Sequence, residues 1–361
     1  MNTLSIEEKI KRHLIFWNGE HQSRPLLCMR LGQVFFSKQF KANLPLLEKN
    51  RVLKPEEIIV DDYLADYERM FQELEQLPQD CIFTAEPCTG IPWLEAIFGA
   101  VVVGGEDSFF TKPIISDTDD LKKVRFDREN PWFQKYIEFS QKLNLLSAGR
   151  FPIGEPILRG VTDTVGSLIG QQDLIYAMMD EPELINEKFE MVANAQRELI
   201  KAQYAVTDSF HGGRSFGFYH LWAPGSVMWY QNDLTNLMAP SFYDEFIRKP
   251  TDMILEGYDY TMVHLHPISF FHLDGLLSQK NLSAIQVNRE SFGYPTEDCI
   301  PSCRKIIESG KKLLYGLGPI DEHDIDVLYD GLPHHSTMYN LMAETPARAL
   351  ELFEYIDKKN W

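Results

Sequence analysis

Two histidines at the end of an apolar run are the residues of this sequence best placed to do chemistry. His264 and His266 lie two residues apart in YTMVHLHP, and the run stops at Pro267. Side chains at positions i and i+2 of a strand point to the same side. Imidazole nitrogens bind metal ions and carry protons near neutral pH. The spacing therefore predicts a metal site or an acid–base pair at the end of a strand.

A zinc site needs more ligands than this pair, because zinc has three or four protein ligands in most sites. We expect the remaining ligands from Glu155, Gln286 or residues 334–339. Cys299 and Cys303 stand alone at a predicted helix start and do not indicate a structural zinc site. The five cysteines are scattered, which predicts reduced thiols and a cytoplasmic protein rather than a disulfide framework.

The elements that position the histidines alternate between short apolar runs and helical stretches. We predict strands at 25–30, 81–85, 149–153, 215–219, 260–263, 283–287, 312–315 and 336–341. Helices are predicted at 61–77 and 181–205 and after Ser241, Ser302 and Thr345. Eight such units predict the α/β class and a (β/α)₈ (TIM) barrel. A doubly wound open sheet is the alternative, but MRLGQ offers one glycine and no phosphate-binding turn.

The barrel is expected to form a single domain over residues 1–361. An amphipathic helix is predicted within 1–20, and residues 86–148 are predicted to form a lid over the barrel mouth. Active sites of such barrels lie at the C-terminal ends of the strands. The predicted strand ends carry Arg30, Glu86, Glu155, His220, His264, His266, Gln286, Asn288 and Tyr339, and the loop after the fourth predicted strand adds Trp222, Tyr230 and Asp233.

These residues have chemically distinct expected roles. Carboxyl, imidazole and phenol groups transfer protons, so the candidate catalytic residues are His264, Asp233, Glu155 and Tyr230. His264 and His266 are the candidate metal ligands. Charged, amide and aromatic groups fix the orientation of small molecules, so the candidate substrate-binding residues are Arg30, Glu86, His220, Trp222, Gln286, Asn288 and Tyr339.

The charge balance excludes some partners. The chain has 361 residues with 53 acidic and 35 basic ones, giving a formal net charge of −18 at pH 7. Nucleic acids and anionic membrane surfaces require basic protein surface, so neither is expected as a partner. The sequence has no apolar stretch of the roughly 20 residues that cross a bilayer. A small-molecule substrate is expected instead.

Several stretches together resemble the uroporphyrinogen decarboxylase superfamily over nearly the whole chain. They are PLLCMRLG, GIPWLEAIFGA, EPILRGVTD with DEPELI, MAPSFYDEFIRKP, VHLHPISFFHLDGLL with LSAIQV, and IIESGKKLLYGLG. The resemblance implies a (β/α)₈ barrel. It also implies one of two activities: cofactor-free decarboxylation of porphyrinogens, or zinc-dependent methyl transfer linked to a corrinoid. Homodimers are common among such barrels, so the resemblance implies a homodimer.

The chain departs from both family patterns. The decarboxylases carry two arginines in a motif like MRQAGR; here Arg30 fits the first, but Gln33 stands in place of the second. The methyltransferases carry His-x-Cys at the fifth strand; His264 fits the histidine, and His266 replaces the cysteine. Related thiol-methylating enzymes carry a glutamate where this chain has Gln286. The resemblance therefore implies at most a nitrogen and oxygen metal site.

Three functions follow from these observations. The first is a corrinoid-linked methyltransferase or demethylase of a small methylated compound, with zinc at the histidine pair and a corrinoid supplied by a partner protein. The second is a decarboxylase of a porphyrinogen or related acid, which needs no cofactor and holds a carboxylate with Arg30. The third is a relative that binds a ligand without catalysis.

Overall fold

A computed structural model of the chain describes residues 3–19, 24–32, 36–290 and 293–359. Its strands are β1 (Leu26–Leu31), β2 (Val101–Gly104), β3 (Phe109–Lys112), β4 (Arg214–Phe216), β5 (Leu221–Ala223), β6 (Val227–Tyr230), β7 (Tyr260–Leu265), β8 (Ala284–Asn288), β9 (Lys312–Gly316) and β10 (Thr337–Ala343). Its α-helices are α1 (Ile6–Asn18), α2 (Asp61–Glu75), α3 (Trp93–Ile97), α4 (Thr118–Leu121), α5 (Pro131–Ser147), α6 (Val161–Ile169), α7 (Gln171–Asp180), α8 (Pro182–Val206), α9 (Pro240–Phe242), α10 (Arg248–Leu255), α11 (Leu273–Leu277), α12 (Thr296–Glu308), α13 (Glu322–Gly331) and α14 (Pro346–Lys358). No helix within these ranges combines the length and the apolar character needed to cross a membrane.

A six-stranded parallel sheet organises the fold. Its order is β1-β10-β9-β8-β7-β6, and each neighbouring pair is parallel. Parallel strands need crossover connections, and helices supply them between most of the neighbours. The α/β class is therefore confirmed. The strands predicted near 25–30, 260–263, 283–287, 312–315 and 336–341 are also confirmed, with ends shifted by one or two residues.

The predicted second and third strands are not regular strands. Residues 81–85 and 149–153 meet through one isolated parallel bridge, between Ala85 and Ile153. Beside β1, side chains replace the missing ladder: the backbone N–H of Leu27 donates to the Asp80 carboxylate at 2.8 Å. A second isolated bridge joins Arg159 and Gln231, just beyond β6. The ladder of the described residues therefore does not close into eight strands.

The fourth predicted strand, 215–219, is confirmed only at residues 215–216, which belong to β4 and not to the parallel sheet. Strands β4 and β5 form a short antiparallel hairpin, and the strand that pairs with β7 is β6, which was expected to be loop. The hairpin packs against one face of the sheet. Its tip contacts β1 and β10: the carbonyl of Tyr219 accepts hydrogen bonds from Cys28 Sγ at 3.9 Å and Asn340 Nδ2 at 3.4 Å. The buried hairpin therefore packs against side chains of several strands of the sheet.

Residues 86–148, for which a lid is predicted, form α3, the antiparallel pair β2 and β3, α4 and α5. Residues near this hairpin reach the candidate site, since Ser108 lines the cavity beside the two histidines. Helix α1 confirms the predicted N-terminal helix, with a capping box between Ser5 and Glu8.

Candidate functional site

The two histidines meet at the end of β7. The Nε2 atoms of His264 and His266 lie 3.1 Å apart, and their rings are nearly perpendicular. Asp233 begins a short 3₁₀ helix after β6, and its Oδ1 lies 3.7 Å from His266 Nε2. One ligand atom from each of the three residues lies within 4.8 Å of the others. The predicted pair is confirmed as neighbours, and Asp233 is the third group at this position.

Two side chains fix the orientation of the imidazoles. Gln286 stands opposite His264 in the register of β7 and β8. Its Nε2 donates to the carbonyl of Gly316 at 3.3 Å, so its Oε1 is the atom that faces His264 Nδ1. In the same way, the carboxylate of Glu290 faces His266 Nδ1. Each Nδ1 must therefore carry a proton, because its partner atom can only accept a hydrogen bond.

The protonation of the pair follows from this arrangement. When both Nδ1 atoms donate, the neutral rings direct two Nε2 lone pairs at each other, which is unfavourable unless a proton or a cation lies between them. Burial lowers the pKa of His264 to about 4, and the neighbouring His266 adds to the fall. Burial opposes protonation of His266 as well, but the hydrogen bond to Glu290 and the charge of Asp233 raise its pKa overall. A proton between the two Nε2 atoms is therefore held more favourably by His266 than by His264.

The same atoms fit a zinc ion. Zinc binds imidazole nitrogen at about 2.0–2.1 Å, and two such bonds are compatible with nitrogen atoms 3.1 Å apart. A carboxylate oxygen from Asp233 could supply a third ligand, and zinc sites of the catalytic type have three protein ligands. The Nδ1 partners Gln286 and Glu290 occupy the places where metal-bound histidines usually have an orienting acceptor.

The histidine pair borders a central cavity of about 250 Å³. Its wall is mainly hydroxyl, amide and aromatic, and none of the described lining residues is lysine or arginine. The lining residues used below are Thr89, Phe218, Gln231, Asp233 and Asn288. A cavity of this kind fits a small uncharged molecule better than an acid with several carboxylates.

Arg30, Glu86 and His220 line a different cavity, of about 280 Å³, between β1 and residues 83–86. Glu86 Oε2 and His220 Nδ1 are buried there without a hydrogen-bond partner among the described residues. Burial raises the pKa of Glu86 to about 7, although Arg30 opposes the rise. Burial, with Arg30 adding, lowers the pKa of His220. These three predicted substrate-binding residues therefore lie together, in a second cavity that we call the wall cavity.

The remaining predicted residues are spread over the fold. Asn288 borders the central cavity and donates to Glu290 at 3.2 Å. Tyr230 donates to Gln279 at 3.0 Å on the helix side of the sheet. Tyr339 is buried in the cluster of sheet and helix side chains. Trp222 packs beside α1 and donates to the carbonyl of Phe210 at 2.8 Å.

Glu155 is not among the residues that group with the two histidines or line the cavity beside them. Both of its carboxyl oxygens are buried without a hydrogen-bond partner among the described residues. Burial raises its pKa well above the usual value, although the Trp229 backbone opposes the rise. Its charge also influences Tyr136 and Tyr204 of the surrounding helices. Gln33, the expected second arginine position, lies outside the described residues.

Two carboxylates near the histidines, Glu290 and Asp163, are not among the residues predicted from the sequence. Glu290 stands two residues after β8, so its place just beyond a strand end was the available signal. Asp163 lies in the first turn of α6 and binds the backbone of the loop that carries Asp233. Burial, with the charge of Asp233 adding, raises the pKa of Asp163 to about 7. Nothing in its local sequence indicates this contact.

Comparison with known proteins identifies the fold. No family model matches the chain, and no curated protein matches it. Among solved structures, a methyltransferase from Methanosarcina mazei superposes with a TM-score of 0.64 at 13% sequence identity. The match covers 98% of this chain and 99% of that one. The two chains share a fold over their whole length.

Proposed function

We propose that the chain belongs to the uroporphyrinogen decarboxylase superfamily and is a corrinoid-linked methyltransferase or demethylase of a small methylated compound. The observation that carries this proposal is the pair of Nε2 atoms 3.1 Å apart, with both Nδ1 positions held by acceptors. This arrangement suits a zinc ion ligated by His264, His266 and Asp233. The fold shared with a methyltransferase is consistent with it.

The protein groups of the site have separate tasks in this proposal. When bound, zinc acts as a Lewis acid and lowers the pKa of a thiol or hydroxyl group that it coordinates. Gln286 and Glu290 hold the two rings so that both Nε2 atoms face one point. Thr89, Gln231 and Asn288 offer hydrogen bonds to a small substrate in the central cavity. A partner protein would carry the corrinoid to the cavity opening.

The proposal includes a barrel. Contacts run from β1 through Asp80 and residues 81–85 to residues 152–154, and from Arg159 to Gln231 beside β6. We interpret the six-stranded sheet and these two extended segments as the eight positions of a (β/α)₈ barrel. In this interpretation the histidine pair lies at the C-terminal ends of the strands, where such enzymes have their active sites.

Metal content tests the ligand set. We expect about one zinc ion per purified chain by plasma mass spectrometry, in keeping with a single three-ligand site. His264→Ala/His266→Ala should lose it. His335→Ala is the matched control, because His335 is exposed and precedes β10, which is separated from β7 by β9 and β8 in the sheet. Equal zinc in the double variant and in wild type would contradict the ligand assignment.

Turnover tests the reaction. Wild-type protein with methylcobalamin and 2-mercaptoethanol, kept anaerobic, should transfer the methyl group to sulfur, release the thiol proton and leave cob(I)alamin, which is followed by its absorbance. The double histidine variant should lose this activity. Zinc binding without methyl transfer to any tested thiol or alcohol would favour a ligand-binding relative instead.

A second candidate function, decarboxylation of a small acid, has its own supporting observation. The wall cavity brings a half-buried arginine, a carboxyl with a pKa near 7 and a neutral histidine together. Arg30 is the group to attract a carboxylate, and Glu86 is able to supply a proton at neutral pH. The test is binding of 4-hydroxybenzoate by ligand-observed NMR. Binding that Arg30→Met abolishes, together with release of carbon dioxide, would favour this function over methyl transfer.

A further inference from the structure

The loop that carries Asp233 is held by a buried carboxylate on another element. Asp163 is only 7% exposed, and its two oxygens accept hydrogen bonds from the backbone N–H groups of Asp233 and Leu234, both at 2.9 Å. These N–H groups belong to the first turn of the 3₁₀ helix Asp233–Leu237, where no earlier carbonyl of that helix is available to them. Asp163 therefore fixes the backbone position from which the Asp233 side chain extends.

Two neighbours of Asp163 hold the residues just before Asp233. The N–H of Gly160 donates to the carbonyl of Gln231 at 2.7 Å. The backbone N–H and hydroxyl of Thr162 both donate to Asn232 Oδ1, at 3.2 and 3.1 Å. Residues 159–163 thus contact each residue from 231 to 234. We call this segment the clamp.

The clamp matters because the side chain of Asp233 is weakly held. The Asp233 side chain is 41% exposed. One of its oxygens accepts from Gln231 Nε2 at 2.9 Å, and the other lies 3.7 Å from His266. His264 and His266, in contrast, have orienting partners on their own rings. The position of the Asp233 carboxylate therefore depends mainly on its backbone.

We propose that Asp163 is a positioning residue for Asp233, and that the clamp sets the geometry of the third metal ligand. This inference rests on the proposed function, because it takes Asp233 as a ligand. Asp163 itself does not touch the histidines. Groups that orient metal ligands typically change metal affinity by 10–100-fold when they are replaced. Asp163 would act in this way through two backbone hydrogen bonds.

The first test is the zinc affinity of Asp163→Asn, measured by competition with a chromophoric chelator. An amide accepts one of the two backbone hydrogen bonds and presents N–H groups to the other, so the loop must shift. We expect at least a 10-fold weaker affinity and a changed d–d spectrum of the Co²⁺ form. The control is Asp173→Asn, an exposed position on α7. Unchanged affinity and spectrum would overturn the proposal.

A double-mutant cycle separates positioning from general destabilisation. In an Asp233→Asn background the carboxylate that Asp163 positions is absent. Asp163→Asn should therefore cause less than a twofold further loss of zinc affinity. An equal loss in both backgrounds would show that Asp163 acts on the fold as a whole, and would overturn the proposal. If His264→Ala/His266→Ala kept full zinc, the proposed function itself would fail, which is a distinct result.

Gly160→Ala provides a variant that removes no charged group. A Cβ at this position would lie 2.2 Å from the carbonyl oxygen of Gln231 and 2.3 Å from Asn232 Oδ1, so residues 231–232 must move. We expect a loss of zinc affinity in the same direction as for Asp163→Asn, with far-ultraviolet circular dichroism unchanged. A folded Gly160→Ala variant with wild-type affinity and Co²⁺ spectrum would count against the clamp.

Discussion

The guanidinium carbon of Arg30 lies 4.6 Å from the ring centroid of Phe218, and Arg30 also donates a hydrogen bond to the carbonyl of that residue. Phe218 also lines the central cavity, whereas Arg30 is not among the described residues that line it. The wall of the central cavity therefore lacks this cation. This lack makes the central cavity a poor site for carboxylate groups, although Arg30 belongs to a strand of the same sheet.

Arg30→Met should destabilise the fold without removing the metal. The variant loses a charged donor to a buried carbonyl, a change that costs about 1.5–3 kcal/mol of the free energy of unfolding. We expect a lower midpoint in chemical unfolding and unchanged zinc content. Arg30→Lys, which keeps a charged donor, should lose less. Loss of zinc with unchanged stability would show that Arg30 serves the central cavity.

Glu290→Gln should weaken zinc binding about tenfold or more, because the carboxylate that raises the basicity of His266 becomes neutral. The chain contains a matched control pair on its surface, in which Glu297 Oε1 lies 2.5 Å from His323 Nε2. Glu297→Gln should leave the affinity unchanged. Chelator competition measures both variants. Equal losses of zinc affinity in the two variants would show that Glu290 does not support zinc binding.

The sequence predicted the parts of the site that depend on local spacing. The i, i+2 rule placed His264 and His266 on one side of β7, and the structure brings their Nε2 atoms together. The partners of these histidines come from elsewhere. Asp163 reaches Asp233 from 70 residues away in the chain, and only the tertiary fold creates such a contact.

The fourth predicted strand also shows that local sequence does not reveal contacts between distant segments. Residues 215–219 and 227–230 are both short apolar runs, and periodicity alone does not distinguish them. The first turns back at His220, which has a φ of 54°, and pairs with β5. The second pairs with β7 in the parallel sheet. The two runs can be distinguished only by which of them has a parallel neighbour. For residues 227–230 that neighbour is β7, and the paired residues Val227 and Tyr260 are 33 positions apart in the chain.

The Glu155→Gln variant should become more stable than the wild-type protein as the pH rises. Burial raises the pKa of Glu155 well above the ordinary glutamate value of 4.5, so above about pH 4.5 the folded state binds more protons than the unfolded state. The Glu155 contribution to the free energy of unfolding therefore falls with increasing pH. The neutral amide lacks this dependence. We expect the two proteins to be similar near pH 4.5 and the variant to be more stable at pH 8.

Urea unfolding at several pH values measures the Glu155 effect. Glu297→Gln, at an exposed position, controls for loss of a surface charge. The opposite trend, in which the variant loses stability as the pH rises, would show that the ionised carboxylate has a partner. If Glu155 instead has the catalytic role expected from the sequence, Glu155→Gln should abolish turnover.

Gly217→Ala should be strongly destabilising. A Cβ on Gly217 would lie 2.5 Å from the carbonyl oxygen of Glu155 and 2.7 Å from Glu86 Oε2. Overpacking of this kind costs about 1–3 kcal/mol, and here one of the obstructing atoms belongs to the backbone. The control is Gly257→Ala, where the added Cβ meets no atom within 4 Å and only the positive φ opposes it. Equal decreases in the midpoint of thermal unfolding for the two variants would contradict the close packing around Gly217.

The pairing of β1 with β10 has a consequence for synthesis on the ribosome. β1 is synthesised long before β10, its hydrogen-bonded neighbour in the sheet. The contact between the hairpin tip and Asn340 also forms only after β10 has been synthesised. Contacts between distant segments form slowly, and an unpaired strand edge is prone to aggregation in the meantime. The nascent chain therefore carries β1 without its β10 neighbour until residues 337–343 have left the ribosome.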